Sequence, residues 1–293
     1  LHQGLKFDGA RAMNLLIKQV EGGPRIPHHP GLELTRQLIR TELETHGFRV
    51  ETQDFVKPSQ VLGVDVAGIN FIGLRPSKSG RIHTILSCHY CTRPIADMDP
   101  NPANRMLPVP GANDGASGVA VLLELARVLE LAPVEEGVAL VFFDLEDHGH
   151  ARDPNGFALG SRFMAENLPI SLDGFRRGIN IDMIGDRDLR LPMEGFSGRL
   201  APALTRMVWN VGAEMYPDIF QKIMGNPITD DHLPFLQAGH AYINIIDFDY
   251  PPWHTLQDTP DKCSAASLEA VGRVLEAILR HRPATMSLRQ TNP

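Results

Sequence analysis

Val138-Ala139-Leu140-Val141-Phe142-Phe143 is a run without one polar side chain, and it ends on Asp144-Leu145-Glu146-Asp147. A strand with no alternation has to be covered on both faces, which is the situation of a central strand in a parallel sheet. Acids placed straight after such a strand stand at the sheet's carboxyl edge, where open α/β sheets carry their sites. This run alone narrows the chain to a layered α/β fold.

The other periodicities agree. Helical spacing predicts helices over Phe7–Val20, Leu32–His46 with Gly47 as C-cap, Val119–Leu129, Phe157–Glu166, Leu200–Ala213 and Ala265–Leu279. A short helix over Leu233–Gln237 is expected to be capped by Thr229–His232. Strands are expected over Phe48–Phe55 at a sheet edge, Asn70–Leu74, Ile82–His89, Ile179–Ile184 with Asp182 inside it, and Ala241–Ile246. Gly22–Gly31 and the proline-rich stretch Thr92–Pro110 read as loops, the second long enough to be functional, and the last dozen residues as a tail. Strands alternate with helices without a repeat or a linker. Residues 1–293 are therefore expected to form a single doubly wound α/β domain, with a mixed, largely parallel central sheet flanked by helices.

The net charge is −7 and Lys and Arg do not cluster, which argues against nucleic acid or an anionic membrane surface as partner. No apolar run approaches the ~20 residues of a membrane span. The three cysteines cannot build a disulfide framework. Cys88-His89-Tyr90-Cys91 lacks the second pair that a structural zinc site needs, and it ends a strand where a redox motif would open a helix. That spacing reads as incidental, and a local disulfide there would be strained. The segment from Leu1 has no signal-peptide pattern, the expectation being a mature or trimmed form.

Pro110-Gly111-Ala112-Asn113-Asp114-Gly115-Ala116-Ser117-Gly118 is too rich in small residues for a helix interior, and it delivers Asp114 just ahead of a buried helix. Alone, Asp114 would be a helix N-cap. His89 or His254 alone would be a satisfied core histidine, and Asp182 alone a turn residue. Together with Glu146, Asp147 and Asp230 they are all expected on one rim. Carboxylates so gathered repel one another and raise their own pKa values, which a divalent cation relieves. Carboxylate and imidazole ligands without thiolate suit a catalytic zinc. Glu146 and Asp147 can divide the work, one binding metal and the other moving protons.

His89-Tyr90, Gly111–Gly118, Phe143–Asp147, Asn180–Gly185, Asp230-Asp231-His232 and Trp253-His254-Thr255 occur in this order. Over about residues 7 to 282 the chain thus resembles the zinc aminopeptidase-like family that also contains the glutaminyl cyclases. The resemblance implies two alternative sites. In the aminopeptidases, two zinc ions would be held by His89, Asp114 as bridge, Asp147, Asp182 and His254, with Glu146 as general base. In the animal-type glutaminyl cyclases, one zinc would be held by Asp114, Asp147 and His254. There Glu146 would shuttle a proton, Asp182 and Asp230 would form an acidic pair, and Trp253 would wall the pocket. Trp253 ahead of His254, Asp230 in its segment and Leu159-Gly160-Ser161-Arg162 are similar to the cyclase branch. The sequence departs from the family at Cys91, where an aspartate usually supports His89, and at Asp147, where glutamate is usual. Residues 148–152 hold no counterpart of the animal cyclases' pocket tryptophan.

The resemblance therefore implies a zinc-dependent glutaminyl-peptide cyclotransferase with one zinc. Peptide or protein N-termini would be its substrates, converted to pyroglutamate with release of ammonia. The alternatives are a di-zinc aminopeptidase and, third, a non-catalytic binding domain of the same fold. The resemblance also implies an extracytoplasmic location and a cis peptide after Asp114.

Overall fold

Residues 4–150 and 152–280 are described by the structure, a computed structural model of the chain; the tail expected at the carboxyl end lies outside them. Helix α1 (Gly9–Glu21) starts where the Asp8 carboxylate accepts from the Ala10 and Arg11 N–H groups. Helix α2 (Pro30–Thr45) opens on a proline that has no N–H to leave unpaired, with the His29 ring accepting from Gly31. Gly47, at φ +74°, turns the chain out of α2 into β1 (Arg49–Ser59), as a C-capping glycine does. The chain continues through β2 (Val64–Arg75), β3 (Thr84–His89), α3 (Ala116–Leu131), β4 (Val138–Phe143), α4 (Leu159–Glu166) and β5 (Arg177–Asp182). It ends with β6 (Leu191–Met193), α5 (Gly195–Leu200), α6 (Pro202–Met215), β7 (Phe220–Met224), α7 (His232–Gln237), β8 (Tyr242–Ile246) and α8 (Ala265–Arg280).

The main sheet has the order β1-β2-β4-β3-β5-β8. β1, β2 and β4 pair antiparallel, while β4, β3, β5 and β8 run parallel. The α/β expectation with a mixed, largely parallel sheet is therefore met. β3 is the switch point, because the chain leaves it through α3 to β4 on one side and later returns as β5 on the other. That geometry opens a crevice beyond the carboxyl ends of β3, β4 and β5. Every residue of β3 and β4 is buried. α3 is buried on nearly all sides, between the sheet and the pair α1 and α8. Its buried Glu124 is ion-paired with Arg11 at 3.0 Å and with Arg127, so this acid is not left without a counter-charge.

Several sequence expectations need correction. β1 and β2 reach well past residues 55 and 70, because their outer halves form a projecting hairpin whose alternate burial gives only a weak apolar signal. Asp182 is the last residue of β5, not an interior one. α5 and the small parallel pair β6 and β7 were not expected, being too short to show a period. The cap expected at residues 229–232 is not made by a side chain of Asp231; Asp230 Oδ1 instead accepts from the Asp231 N–H. Asp114 does not cap α3 either, because the N-cap is Gly115 and no side chain bonds there. Cys88, Cys91 and Cys263 are buried free thiols. Among the described residues no helix is long and apolar enough to cross a membrane.

Candidate active site

Three strand ends, one returning segment and one loop converge at the carboxyl edge. β3 ends on His89 and β5 on Asp182, and β4 runs on through Asp144 to Glu146 and Asp147. The segment after β8 brings back His254, and the loop before α3 delivers Asp114. His89, Asp114, Glu146, Asp147, Asp182, Asp230 and His254 are each at most 7% exposed. The backbone at these ends is unusual. Leu145, Met183 and His254 all have positive φ, a region costing an ordinary side chain roughly 1–2 kcal/mol. His254 is a ligand candidate, Met183 directly follows Asp182 and Leu145 directly precedes Glu146, so the strain is concentrated where side chains must be aimed. The Asp114–Gly115 peptide bond is cis.

Two groups of side chains share Asp114. His89 Nε2 lies 3.1 Å from Asp114 Oδ1 and 3.1 Å from Asp182 Oδ1. His254 Nε2 lies 2.9 Å from Asp147 Oδ2 and 3.7 Å from Asp114 Oδ2. In each group the three donor atoms fall within 4.8 Å of one another. The protein itself satisfies the groups unequally. His89 bonds Asp182 through Nε2, and its Nδ1 reaches the Cys91 carbonyl oxygen at 3.2 Å. Burial opposes a charge on His89, but Asp182 and Asp114 outweigh it and hold the ring well above its ordinary pKa. A doubly protonated ring donates to both partners and leaves nothing unmet.

In the other group, His254 Nε2 forms an ion pair with Asp147 Oδ2 that, against burial, lifts the ring pKa to about 9, but it lies off the line that a ring N–H needs, so this buried oxygen has no aligned hydrogen bond. An unpaired buried polar atom costs about 1–3 kcal/mol, more when it is charged. Donor atoms that converge without bonding to one another fit a cation. Two carboxylates and an imidazole, with no thiolate, fit zinc and leave a fourth position open. Asp147 is kept ionised: burial pushes it up, but His254 and Arg93 outweigh that and hold it well below the usual range.

Glu146 belongs to neither group. Among the described residues none hydrogen-bonds its carboxyl group, and burial followed by the Asp147 charge pushes its pKa well up. Asp182 is raised to about 7, by burial first and then by the nearby Asp230. Asp230 Oδ2 accepts from Asn244 Nδ2 at 2.5 Å and Asn180 Nδ2 at 3.4 Å. Behind it, Asn180 Oδ1 accepts from Ser87 Oγ, and Ser87 Oγ from the Tyr242 hydroxyl, a polar chain crossing three strands inside the core. Trp253 stacks on the His254 ring at 3.7 Å between centroids, and the Phe248 ring lies tilted against Trp253 at 5.0 Å. The expected site residues are thus brought together at one edge.

Sequence reasoning missed the residues that hold these in place. Asp258 accepts from the Asn113 and Asp114 N–H groups and from the Tyr250 hydroxyl, gripping the loop that carries Asp114. Arg25, fully buried in what reads as a solvated turn, donates to the carbonyls of Tyr90, Pro110 and Gly111 and pins both ends of the 92–110 loop. Arg25 shows in the sequence as a charge beside Pro24, and Asp258 as one more polar residue after Trp253.

Gly115 has a steric role here. A Cβ on it would stand 2.5 Å from His89 Cε1, inside any real contact. Gly115→Ala is expected to displace the His89 ring and to lower the unfolding free energy by about 1–3 kcal/mol, read from denaturant unfolding. An unchanged midpoint would mean the ring has room to move.

Residues 70–279 match the family model described as Peptidase family M28. The chain belongs to peptidase family M28. It is 32% identical to the glutaminyl cyclase of Bacteroides thetaiotaomicron, with a TM-score of 0.88 over 94% of this chain and 99% of that one. A leucine aminopeptidase precursor from the same organism is 30% identical, at a TM-score of 0.88 over 94% of this chain and 98% of that one. The glutaminyl-peptide cyclotransferase of Bothrops jararaca is 26% identical, over 87% of this chain and 76% of its own length. A glutaminyl cyclase and a leucine aminopeptidase precursor thus stand at the same structural distance. The choice between their chemistries falls to the site.

Proposed function

We propose that this M28 protein is a glutaminyl-peptide cyclotransferase that holds one zinc ion at Asp114, Asp147 and His254. The observation that carries this reading is the asymmetry of the two groups. His89 is already hydrogen-bonded to Asp182 and close to the Cys91 carbonyl, whereas Asp147 Oδ2 and His254 Nε2 converge as an ion pair with no aligned hydrogen bond between them. A thiol at Cys91, kept neutral by burial, also gives His89 no anionic support for a second metal.

A bound zinc ion supplies a Lewis acid for an amide carbonyl. The chain's own residues do the rest. Glu146, buried and with a raised pKa, takes a proton from the substrate's α-amino group. The α-nitrogen bonds to the side-chain amide carbon, the amide C–N bond breaks, and Glu146 returns the proton to the nitrogen leaving as ammonia. Asp182, raised by burial and by the nearby Asp230 charge, would face the substrate together with Asp230 as an acidic pair. Trp253 walls the pocket beside His254. An extracytoplasmic location is part of the proposal.

A second reading, the di-zinc aminopeptidase, is favoured by one observation: Asp114 presents one oxygen to each group, as a bridging ligand would. The zinc-loaded protein should therefore be assayed side by side on a glutaminyl peptide and on aminoacyl p-nitroanilides. The proposal expects ammonia release and a cyclised product with little anilide hydrolysis. Anilide hydrolysis without cyclisation would select the peptidase, and neither activity would leave a binding domain.

A further inference from the structure

The 92–110 loop does more than cover the site. Arg93, 2% exposed, spends its whole guanidinium group there. Nε and Nη2 form a two-pronged pair with Asp97 at 2.7 Å each. Nη1 bonds Asp147 Oδ1 at 2.8 Å and also reaches the carbonyls of Asp147 and Gly149. Asp97 in turn places Oδ1 3.5 Å from His254 Nδ1, in ion-pair range. The Met98 N–H donates to the His254 carbonyl at 3.2 Å, tying the same stretch of loop to the backbone of that histidine. Arg93 and Asp97 thus link Asp147 to His254 from behind, leaving Asp147 Oδ2 and His254 Nε2 facing each other at 2.9 Å.

We propose that Arg93 and Asp97 are positioning residues that aim the Asp147 and His254 donor atoms at one point and so set the affinity for the metal ion. Arg93 occupies one oxygen of Asp147, which leaves the other free and fixes its direction. Asp97 faces the Nδ1 side of the His254 ring, favouring the N–H there and the lone pair at Nε2. Carboxylates behind metal-binding histidines act in this way, and losing such a partner typically weakens metal binding by about 10–100-fold. Only a planar fork serves both acids at once, so lysine at 93 keeps the charge and loses the bridge. The inference rests on the metal reading above.

The test is zinc affinity, measured by competition with a chromophoric chelator, together with the visible spectrum of the cobalt-substituted protein. Asp97→Ala and Arg93→Lys should each weaken zinc about 10–100-fold and alter the cobalt bands. Asp97→Glu should recover most of the loss. Asn101→Ala, which removes the cap of the short turn at Pro102–Asn104 in the same loop and touches no ligand candidate, should change neither readout. Wild-type protein that binds no zinc would bring down the metal reading and the clamp with it. Tight wild-type binding with unchanged Asp97→Ala and Arg93→Lys affinities would overturn the clamp alone. So would an equal loss in Asn101→Ala, which would make loop order, and not these contacts, the cause.

Discussion

Glu146→Gln is expected to keep its zinc and to lose on the order of 10²-fold or more in turnover. The substitution preserves size and removes only the capacity to carry a proton. Glu146 stands outside both groups of ligand candidates, yet beside Asp147, whose charge and burial raise its pKa. A carboxyl group raised in this way holds and releases protons nearer neutral pH, which suits transfer between an amine and a departing amide nitrogen. Turnover measured alongside elemental zinc analysis separates the roles. Loss of zinc from Glu146→Gln would show that the two adjacent carboxylates had been assigned in reverse.

The second large effect concerns the ligands. Asp147→Ala and His254→Ala should each abolish tight zinc binding, by more than the ~10–100-fold that an outer partner contributes, and activity should fall to background. Asp182→Asn should retain zinc and still lose turnover, because Asp182 bonds to His89 and acts as part of an acidic pair with Asp230. The contrast follows from geometry. Removing Asp147 or His254 takes away a converging donor atom, whereas His89 and Asp182 already complete one another. If Asp182→Asn lost zinc as fully as His254→Ala, the His89 group would be a ligand set too.

The sequence showed these seven positions because each follows a signal with a physical cause. An apolar strand covered on both faces must stop at the sheet edge, and Glu146 and Asp147 come just past that stop. A glycine-rich loop ahead of a buried helix lets the backbone aim the carboxylate it carries into the site, as at Asp114. Residues that hold such groups have no comparable mark. Arg25, Arg93 and the half-buried Asp97 lie in proline- and glycine-rich stretches where charge normally means solvent, and the burial of the two arginines depends on contacts with segments distant in sequence. Asp258 looks like one more polar residue after Trp253, although it grips the Asp114 loop from more than a hundred positions away. The same reasoning explains the fold-level misses. β6 and β7 pair with each other away from the main sheet and are too short to show a period, while the outer hairpin of β1 and β2 exposes much of its length.

Metal content of the purified protein, loaded with zinc and then dialysed against a weak chelator, tests the central claim most directly. The account predicts one zinc ion per chain, lost in His254→Ala and kept in Asp182→Asn. Two tightly held zinc ions per chain, with the second lost on Asp182→Asn, would contradict it and make the site that of a di-zinc aminopeptidase.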